Sequence, residues 1–176
     1  LNLCTDQLLL LLVPRERIVM LSQLATDPQL SAQAVRARGI ARFDGSVESV
    51  LKKAPDLVLA GSMASLGTTR VLQRLGYRVE TQEMPESIDA ALAFIEQTAA
   101  LAGEPAAGQA LRQATQQRLA AVQARVASGT RPLVLVYLPN GLTPGTGTLK
   151  HELIELAGWR NLAATQGISG YGTLSL

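Results

Sequence analysis

Short apolar runs alternate with helix-period stretches along the first half of the chain. Arg17-Ile18-Val19-Met20-Leu21, Asp56-Leu57-Val58-Leu59-Ala60-Gly61 and residues 77–81 read as strands. Residues 46–53 read as a short helix, with Ser46 as N-cap and Glu48 in the first turn, where a carboxylate favours the positive end of the helix. Residues 68–75 read as a second helix, stopped by Gly76. Strands separated by helices predict right-handed βαβ units and a mostly parallel sheet.

The rhythm then changes. Residues 87–102 form a helical pattern with Ile88, Leu92, Ile95 and Ala99 on one face. Gly103-Glu104-Pro105 interrupts it, and a second helical pattern runs to about Ala127, with Leu111, Leu119, Val122 and Val126 on its stripe. Roughly 40 residues of nearly continuous helix is long for a connection inside one doubly wound domain. It fits either a stiff connector between two lobes or two ordinary crossover helices. The strand pattern restarts with Leu133-Val134-Leu135-Val136-Tyr137-Leu138, which is apolar on both faces, as in a buried parallel strand. A Gly/Pro/Thr-rich loop and a further helix follow, so a second α/β unit opens here with too few residues to close a full sheet. The predicted division is an α/β lobe over 1–85, a helical connector over 86–128, and the start of a second α/β lobe over 129–176.

Composition narrows this picture. With 47% hydrophobic and 17% charged residues, the chain of 176 residues is globular in character. Its 13 arginines are scattered, and the formal charge is only +2. No basic stripe interleaved with aromatics appears, which argues against a nucleic-acid partner. The one cysteine, Cys4, excludes an internal disulfide, and the one histidine, His151, excludes a His-rich metal site. The apolar run 8–13 is too short to span a bilayer. The chain starts on Leu1 without a methionine or a signal peptide, as a trimmed sequence would.

Candidate chemistry is sparse. Gly145-Thr146-Gly147-Thr148-Leu149-Lys150 lies between a strand and a helix, where open α/β sheets bind ligands. Both phosphate templates fail there: the P-loop spacing demands glycine where Thr146 or Lys150 stands, and the dinucleotide fingerprint meets Lys150 at its third glycine. Thr148 as a helix N-cap and an anion held by the helix amides are both compatible with the loop. Cys4 sits near a helix start, which can activate a thiol, but a cysteine nucleophile wants a histidine base, and His151 lies on another helix. Lys150-His151-Glu152 reads as a polar helix face. Asp27 and Asp44 precede Pro and Gly and read as turn residues. No catalytic constellation emerges, and no cofactor is expected.

Several stretches taken in order carry a family resemblance. These are Leu1-Asn2-Leu3-Cys4-Thr5-Asp6-Gln7, Arg17-Ile18-Val19, Asp27-Pro28, Ala54-Pro55-Asp56-Leu57-Val58-Leu59-Ala60-Gly61, Leu75-Gly76-Tyr77-Arg78-Val79, residues 137–140 and Gly158-Trp159-Arg160-Asn161. Together they resemble the iron-siderophore/cobalamin family of ABC-transporter substrate-binding proteins. The resemblance implies two α/β lobes with parallel sheets joined by a long connector helix, the second lobe incomplete in this chain, and a ligand cleft between the lobes.

It further implies a non-enzymatic, monomeric protein of the periplasm that carries a metal chelate (ferric siderophore, haem or corrinoid) to an inner-membrane permease. The family's ligand loops map onto Cys4 and Thr5, Gln23 and Leu24, Gly61, Ser62 and Met63 in the first lobe. In the second lobe they map onto Tyr137, Asn140, Thr143 and Tyr171. Glu48 matches a family permease-docking carboxylate and equally a plain helix-start residue. Cobalamin binders place an aromatic near Gly61, and this chain has none. The reading from another class is a small α/β enzyme or a cytoplasmic ligand sensor built on the same sheet.

Overall fold

A computed structural model of the chain describes residues 2–62, 66–126 and 129–174. They group into two compact units, Leu1–Met84 with Ile95–Gly108, and Pro85–Phe94 with Gln109–Leu176.

The first unit opens on helix α1 (Leu3–Leu12). The Asn2 side chain accepts a hydrogen bond from the Cys4 amide at 2.7 Å, satisfying one of the orphan donors of the helix start. The helix ends at Val13, before Pro14, which cannot extend it. Residues 17–21 do not form the expected strand. Arg15–Arg17 is a 3-10 turn in which the Ile18 amide donates to the Arg15 carbonyl at 3.0 Å, and only Leu21 reaches a ladder, in a parallel bridge with Arg42. A second 3-10 turn spans Gln23–Thr26, and a single helical turn, α2, spans Ala34–Ala37.

Helix α3 (Val47–Lys53) starts where predicted. The Ser46 hydroxyl accepts from the Ser49 amide at 3.1 Å, and Asp44 in turn accepts from both the Ser46 amide and hydroxyl. These bonds from Ser46 favour the ionised carboxylate and hold the Asp44 pKa down at about 2. Ala54 takes a left-handed conformation (φ 43°) to leave the helix ahead of Pro55. Strand β1 (Val58–Gly61), helix α4 (Leu66–Arg74) and strand β2 (Val79–Gln82) follow as a parallel crossover, with Val58 opposite Val79 and Gly61 opposite Gln82. All four β1 residues are buried.

Two clusters form the core of this unit. Leu10, Ile18, Leu21, Ala25 and Ala37 make one, and Val50, Val58 and Leu72 make the other. Each fully buried Leu or Val contributes about 1.5–3 kcal/mol relative to exposure. A cavity of about 520 Å³ lies in the same unit, walled by Ile18, Met20, Val58 and Leu59, with Leu9 and Asp6 of α1 beside them.

Helices α5 (Ile88–Leu101) and α6 (Pro105–Val126) are separated by the predicted break. Gly103 turns left-handed (φ 78°), and Pro105 opens α6 at the position where a missing N–H costs nothing. Arg17 binds the break from α1's side of the unit, donating to Glu104 at 2.5 Å and to the Ala102 carbonyl at 2.8 Å. Among the described residues, no helix is long and apolar enough to cross a membrane.

In the second unit, only Leu133–Val134 of the predicted strand 133–138 pairs, as strand β3, in parallel with β5 (Arg160–Asn161). The chain then turns through a 3-10 segment, Pro139–Gly141, with Asn140 left-handed (φ 63°). Strand β4 (Leu142–Pro144) pairs antiparallel with β6 (Tyr171–Thr173), whereas β1–β2 and β3–β5 pair in parallel as predicted. Helix α7 (Leu149–Leu156) and the single turn α8 (Leu162–Thr165) lie between them in sequence.

Candidate functional site

Three of the predicted loops in the first unit meet near the carboxyl end of β1, two of them joined by a hydrogen bond and the third by packing. Asp6, two residues after Cys4, accepts from the Ser22 amide at 2.9 Å, which fixes the turn bearing Gln23 and Leu24 against the first turn of α1. A side chain on Gly61 would run into the Asn2 amide group, so the α1 cap packs directly on the end of β1. The Ser62 amide donates to the Gln82 carbonyl at 3.2 Å and prolongs the sheet. Ligands of open parallel sheets sit beyond this end of the strands.

Within that group the side chains differ in what they offer. Gln23 and Leu24 are exposed, and Ser62 and Cys4 are half-buried. Thr5, by contrast, is fully buried, and its hydroxyl donates to the Asn2 carbonyl at 2.9 Å. It secures the start of α1 and presents no group to solvent. Gly61 is buried as well and offers only backbone. Met63 lies outside the described residues. Glu48 is exposed on the first turn of α3. The cavity walled by Ile18, Met20, Val58 and Leu59 also takes in Pro55, Asp56 and Arg78, which precede β1 and β2, and none of the predicted ligand residues lines it.

Burial raises the Cys4 thiol above its ordinary pKa, and the neighbouring Asp6 charge adds to the rise. The thiolate is therefore disfavoured, the reverse of an activated nucleophile. Asp6 is also raised by burial, against the opposing effect of hydrogen bonding from Ser22.

In the second unit, Tyr137, Asn140, Thr143 and Tyr171 gather around the β4–β6 pair. Register places Thr143 opposite Gly172 and Pro144 opposite Tyr171. The Leu174 amide donates to the Gly141 carbonyl at 2.9 Å, and the Tyr137 hydroxyl lies 3.4 Å from where a Gly141 side chain would stand. Tyr137 is 47% and Tyr171 52% exposed, and Tyr171 stands on the paired backbone of β6. Thr143 is fully buried, with its hydroxyl unpartnered.

The glycine loop that precedes α7 is built for packing. The Gly145 amide donates to the Gly170 carbonyl at 2.7 Å and the Thr146 amide to the Ile168 carbonyl at 3.0 Å, so neither is free to cradle a phosphate. A Cβ at Gly145 would overlap the Ile168 carbonyl, which explains the glycine. Thr148 is the N-cap of α7: its hydroxyl accepts from the His151 amide at 3.2 Å and donates to the Gly145 carbonyl at 2.8 Å. Among the described residues, no group of three or more His, Cys, Asp or Glu side chains is placed to hold a metal ion.

The family model described as "Periplasmic binding protein" matches residues 1–176. The chain belongs to the periplasmic binding protein family. Its relatives include a "Cobalamin-binding protein" of Halobacterium salinarum, 31% identical over 164 residues that make up 92% of this chain and 44% of that one. The chain thus spans less than half the length of that relative. Among solved periplasmic binding proteins, a possible iron-binding (periplasmic solute-binding) protein from Staphylococcus epidermidis superposes with a TM-score of 0.82 at 20% identity. It covers 99% of this chain and 69% of that one. The heme-binding protein BhuT, solved in complex with two hemes, gives a TM-score of 0.76 at 26% identity over 99% of this chain and 69% of its own.

Two residues near the predicted loops escaped the sequence reading. Asn161 is buried and donates to the Pro144 carbonyl at 2.8 Å, so it holds β4 in place. Its presence in Gly158-Trp159-Arg160-Asn161 was visible, but its partner 17 residues away was not. Lys150, read as part of a polar helix face, instead brings its ammonium to 5.5 Å from the centre of the Tyr171 ring. No local signal in the sequence distinguishes these two orientations.

Proposed function

We propose that the protein is the substrate-binding component of an ABC importer, which captures a metal chelate in the periplasm and delivers it to an inner-membrane permease. The match to the periplasmic binding protein family over residues 1–176 carries this reading. Relatives named for cobalamin, heme and iron support a ferric siderophore, haem or a corrinoid as the ligand class. In this reading Cys4, Gln23, Leu24, Gly61, Ser62 and Met63 serve the ligand from the first lobe, Gly61 through its backbone. Tyr137, Asn140 and Tyr171 serve it from the second. Thr5 and Thr143 support these loops from below. Residues 86–128 act as connector, and Glu48 is the docking carboxylate on the first lobe. The ligand leaves chemically unchanged, in keeping with a Cys4 thiol held in its unreactive form.

The reading is tested by titrating the protein with haemin, ferrichrome and cyanocobalamin while following Trp159 and tyrosine fluorescence and the melting temperature. Saturable quenching with at least one of them, together with thermal stabilisation that grows with ligand concentration, is the expected result. Absence of binding across the panel, or turnover of any ligand, overturns it.

A further inference from the structure

We infer that the cavity of the first unit is the seat of one more parallel β-strand, an apolar stretch of about five residues in the polypeptide that leads into Asn2. This strand lies between residues 18–20 and β1, joins two half-ladders into one sheet, and anchors the loop that carries Cys4.

The cavity measures about 520 Å³, and much of its wall is apolar: Leu9 and Val13 from α1 and its end, Ile18 and Met20 from the segment that follows, and Val58 and Leu59 from β1. Ile18 belongs to one of the two core clusters of the unit and Val58 to the other. Close-packed interiors hold few voids larger than a water molecule. A space of this size, bordered by both clusters, marks a missing element rather than a packing defect.

The backbone edges around the space tell what fits it. Successive residues of a strand turn their N–H and C=O groups to opposite edges. The Val58 and Ser62 amides donate to the Arg78 and Gln82 carbonyls, so Val58 and Ala60 face β2 while Leu59 and Gly61 face away from it. Among the described residues, β2 is the one strand paired with β1. Leu21 donates to the Ala41 carbonyl and accepts from the Phe43 amide, which commits its edge to 41–43. Met20 therefore turns its backbone to the opposite edge, and among the described residues neither its N–H nor its C=O is hydrogen-bonded. A small apolar molecule would leave that edge unsatisfied, whereas a strand fills the space and completes the ladders on both sides. The same strand accounts for residues 17–21, whose side chains suit a ladder that only Leu21 reaches.

The position of Asn2 fixes the direction of the occupant. Asn2 packs on Gly61, the last residue of β1, so a chain that arrives there through the cavity runs parallel to β1. Helix α1 then carries the chain back, and residues 18–21 run the same way again, ending where the Ser22 amide binds Asp6. Strand, helix and residues 18–21 make one βαβ crossover, the connection that parallel neighbours require. At the other end the exposed Glu16 and Asp56 line the mouth, where the strand leaves solvent. The 164 residues matched in the Halobacterium salinarum relative are 44% of that protein, which leaves it ample polypeptide outside them for such a strand.

The test compares the 176-residue chain with the same chain extended before Leu1 by Thr-Val-Ile-Val-Val. A second extension, Thr-Val-Pro-Val-Val, places proline where a central strand does not accept it. The first extension is expected to raise the melting temperature by about 5–10 °C. It is also expected to slow amide hydrogen exchange at Met20 about tenfold or more. The proline form is expected to do neither. An unchanged melting temperature with rapid exchange at Met20, or an equal effect of the two extensions, overturns the inference. Protection of Met20 that grows with the concentration of the unextended chain means that a second copy fills the space, and overturns it too. So does loss of folding on extension. Stabilisation by the first extension alone, in a protein that binds none of the chelates, leaves this strand standing and removes the chelate reading.

Discussion

Asn161 donates from its side-chain amide to the Pro144 carbonyl at 2.8 Å, and its side-chain oxygen accepts from the Ala163 amide at 3.1 Å. One buried residue thus holds strand β4, caps α8 and, through β5, pairs with β3. Asn161→Ala leaves a carbonyl and an amide unsatisfied in the interior. The expected loss is about 2–3 kcal/mol, read as a lower urea midpoint with an unchanged slope. A loss below about 0.5 kcal/mol would show that water or a neighbour replaces both bonds.

Gly145 and Gly147 make a controlled pair. A methyl group at Gly145 meets the Ile168 carbonyl, so Gly145→Ala is expected to separate β4 from the chain leading into β6 and cost about 2–4 kcal/mol. Gly147 has φ 74° with nothing within 4 Å of the added carbon, so Gly147→Ala carries only the conformational cost of about 1 kcal/mol. Thermal denaturation of the two variants distinguishes them, and equal melting temperatures would contradict the packing account.

Asp6 predicts the direction of a pH effect. Burial raises its folded-state pKa above the ordinary 3.8. The folded state therefore binds the proton more tightly than the unfolded chain does. The resulting stability is fully present below pH 3.8 and is lost as pH rises through the raised value. Asp6→Asn keeps an oxygen to accept from the Ser22 amide and removes the buried charge. The variant is expected to gain stability over the parent at pH 7 and to lose that advantage below pH 3.8. Melting curves across this range would falsify the account if the advantage grew on acidification.

Thr143 is expected to tolerate loss of its hydroxyl. The group is buried without a partner, so Thr143→Val removes a desolvated oxygen and keeps the branched shape. Stability should stay level or rise by about 0.5–1 kcal/mol, and ligand affinity should not change. A marked fall in affinity measured by fluorescence titration would return Thr143 to the set of direct ligand contacts.

Features written locally were readable from the sequence alone. Ser46 capping α3, Thr148 capping α7 and the break at Gly103-Glu104-Pro105 all depend on residues within a few positions of one another. Pairing was harder. Residues 17–21 carry β-branched and apolar side chains, yet the turn at Arg15–Arg17 leaves only Leu21 in a ladder. Residues 135–138 are as apolar as Leu133 and Val134, but the 3-10 turn at Pro139–Gly141 redirects the chain. The antiparallel β4–β6 pair depends on contacts such as Gly145 against Ile168, some 20 residues apart in sequence, which no periodicity encodes. The site follows the same division. The order of the loops was legible, whereas the burial of Thr5 and Thr143 and the turn of Lys150 toward Tyr171 are set by tertiary packing.

The assignment of Ile95–Gly108 to one compact unit and Pro85–Phe94 to the other has a practical meaning for anyone who divides this polypeptide. The chain passes from one unit to the other three times, and two of those passages fall inside continuous helices, within α5 and within α6. Neither unit is a contiguous stretch of the gene. A truncation after residue 84 discards the α5 segment that carries Thr98, whose hydroxyl receives the bond from Gln82 at 3.0 Å. Each half therefore has to be cloned as a discontinuous or circularly permuted sequence, and a protease cut in either helix severs an element that both units use.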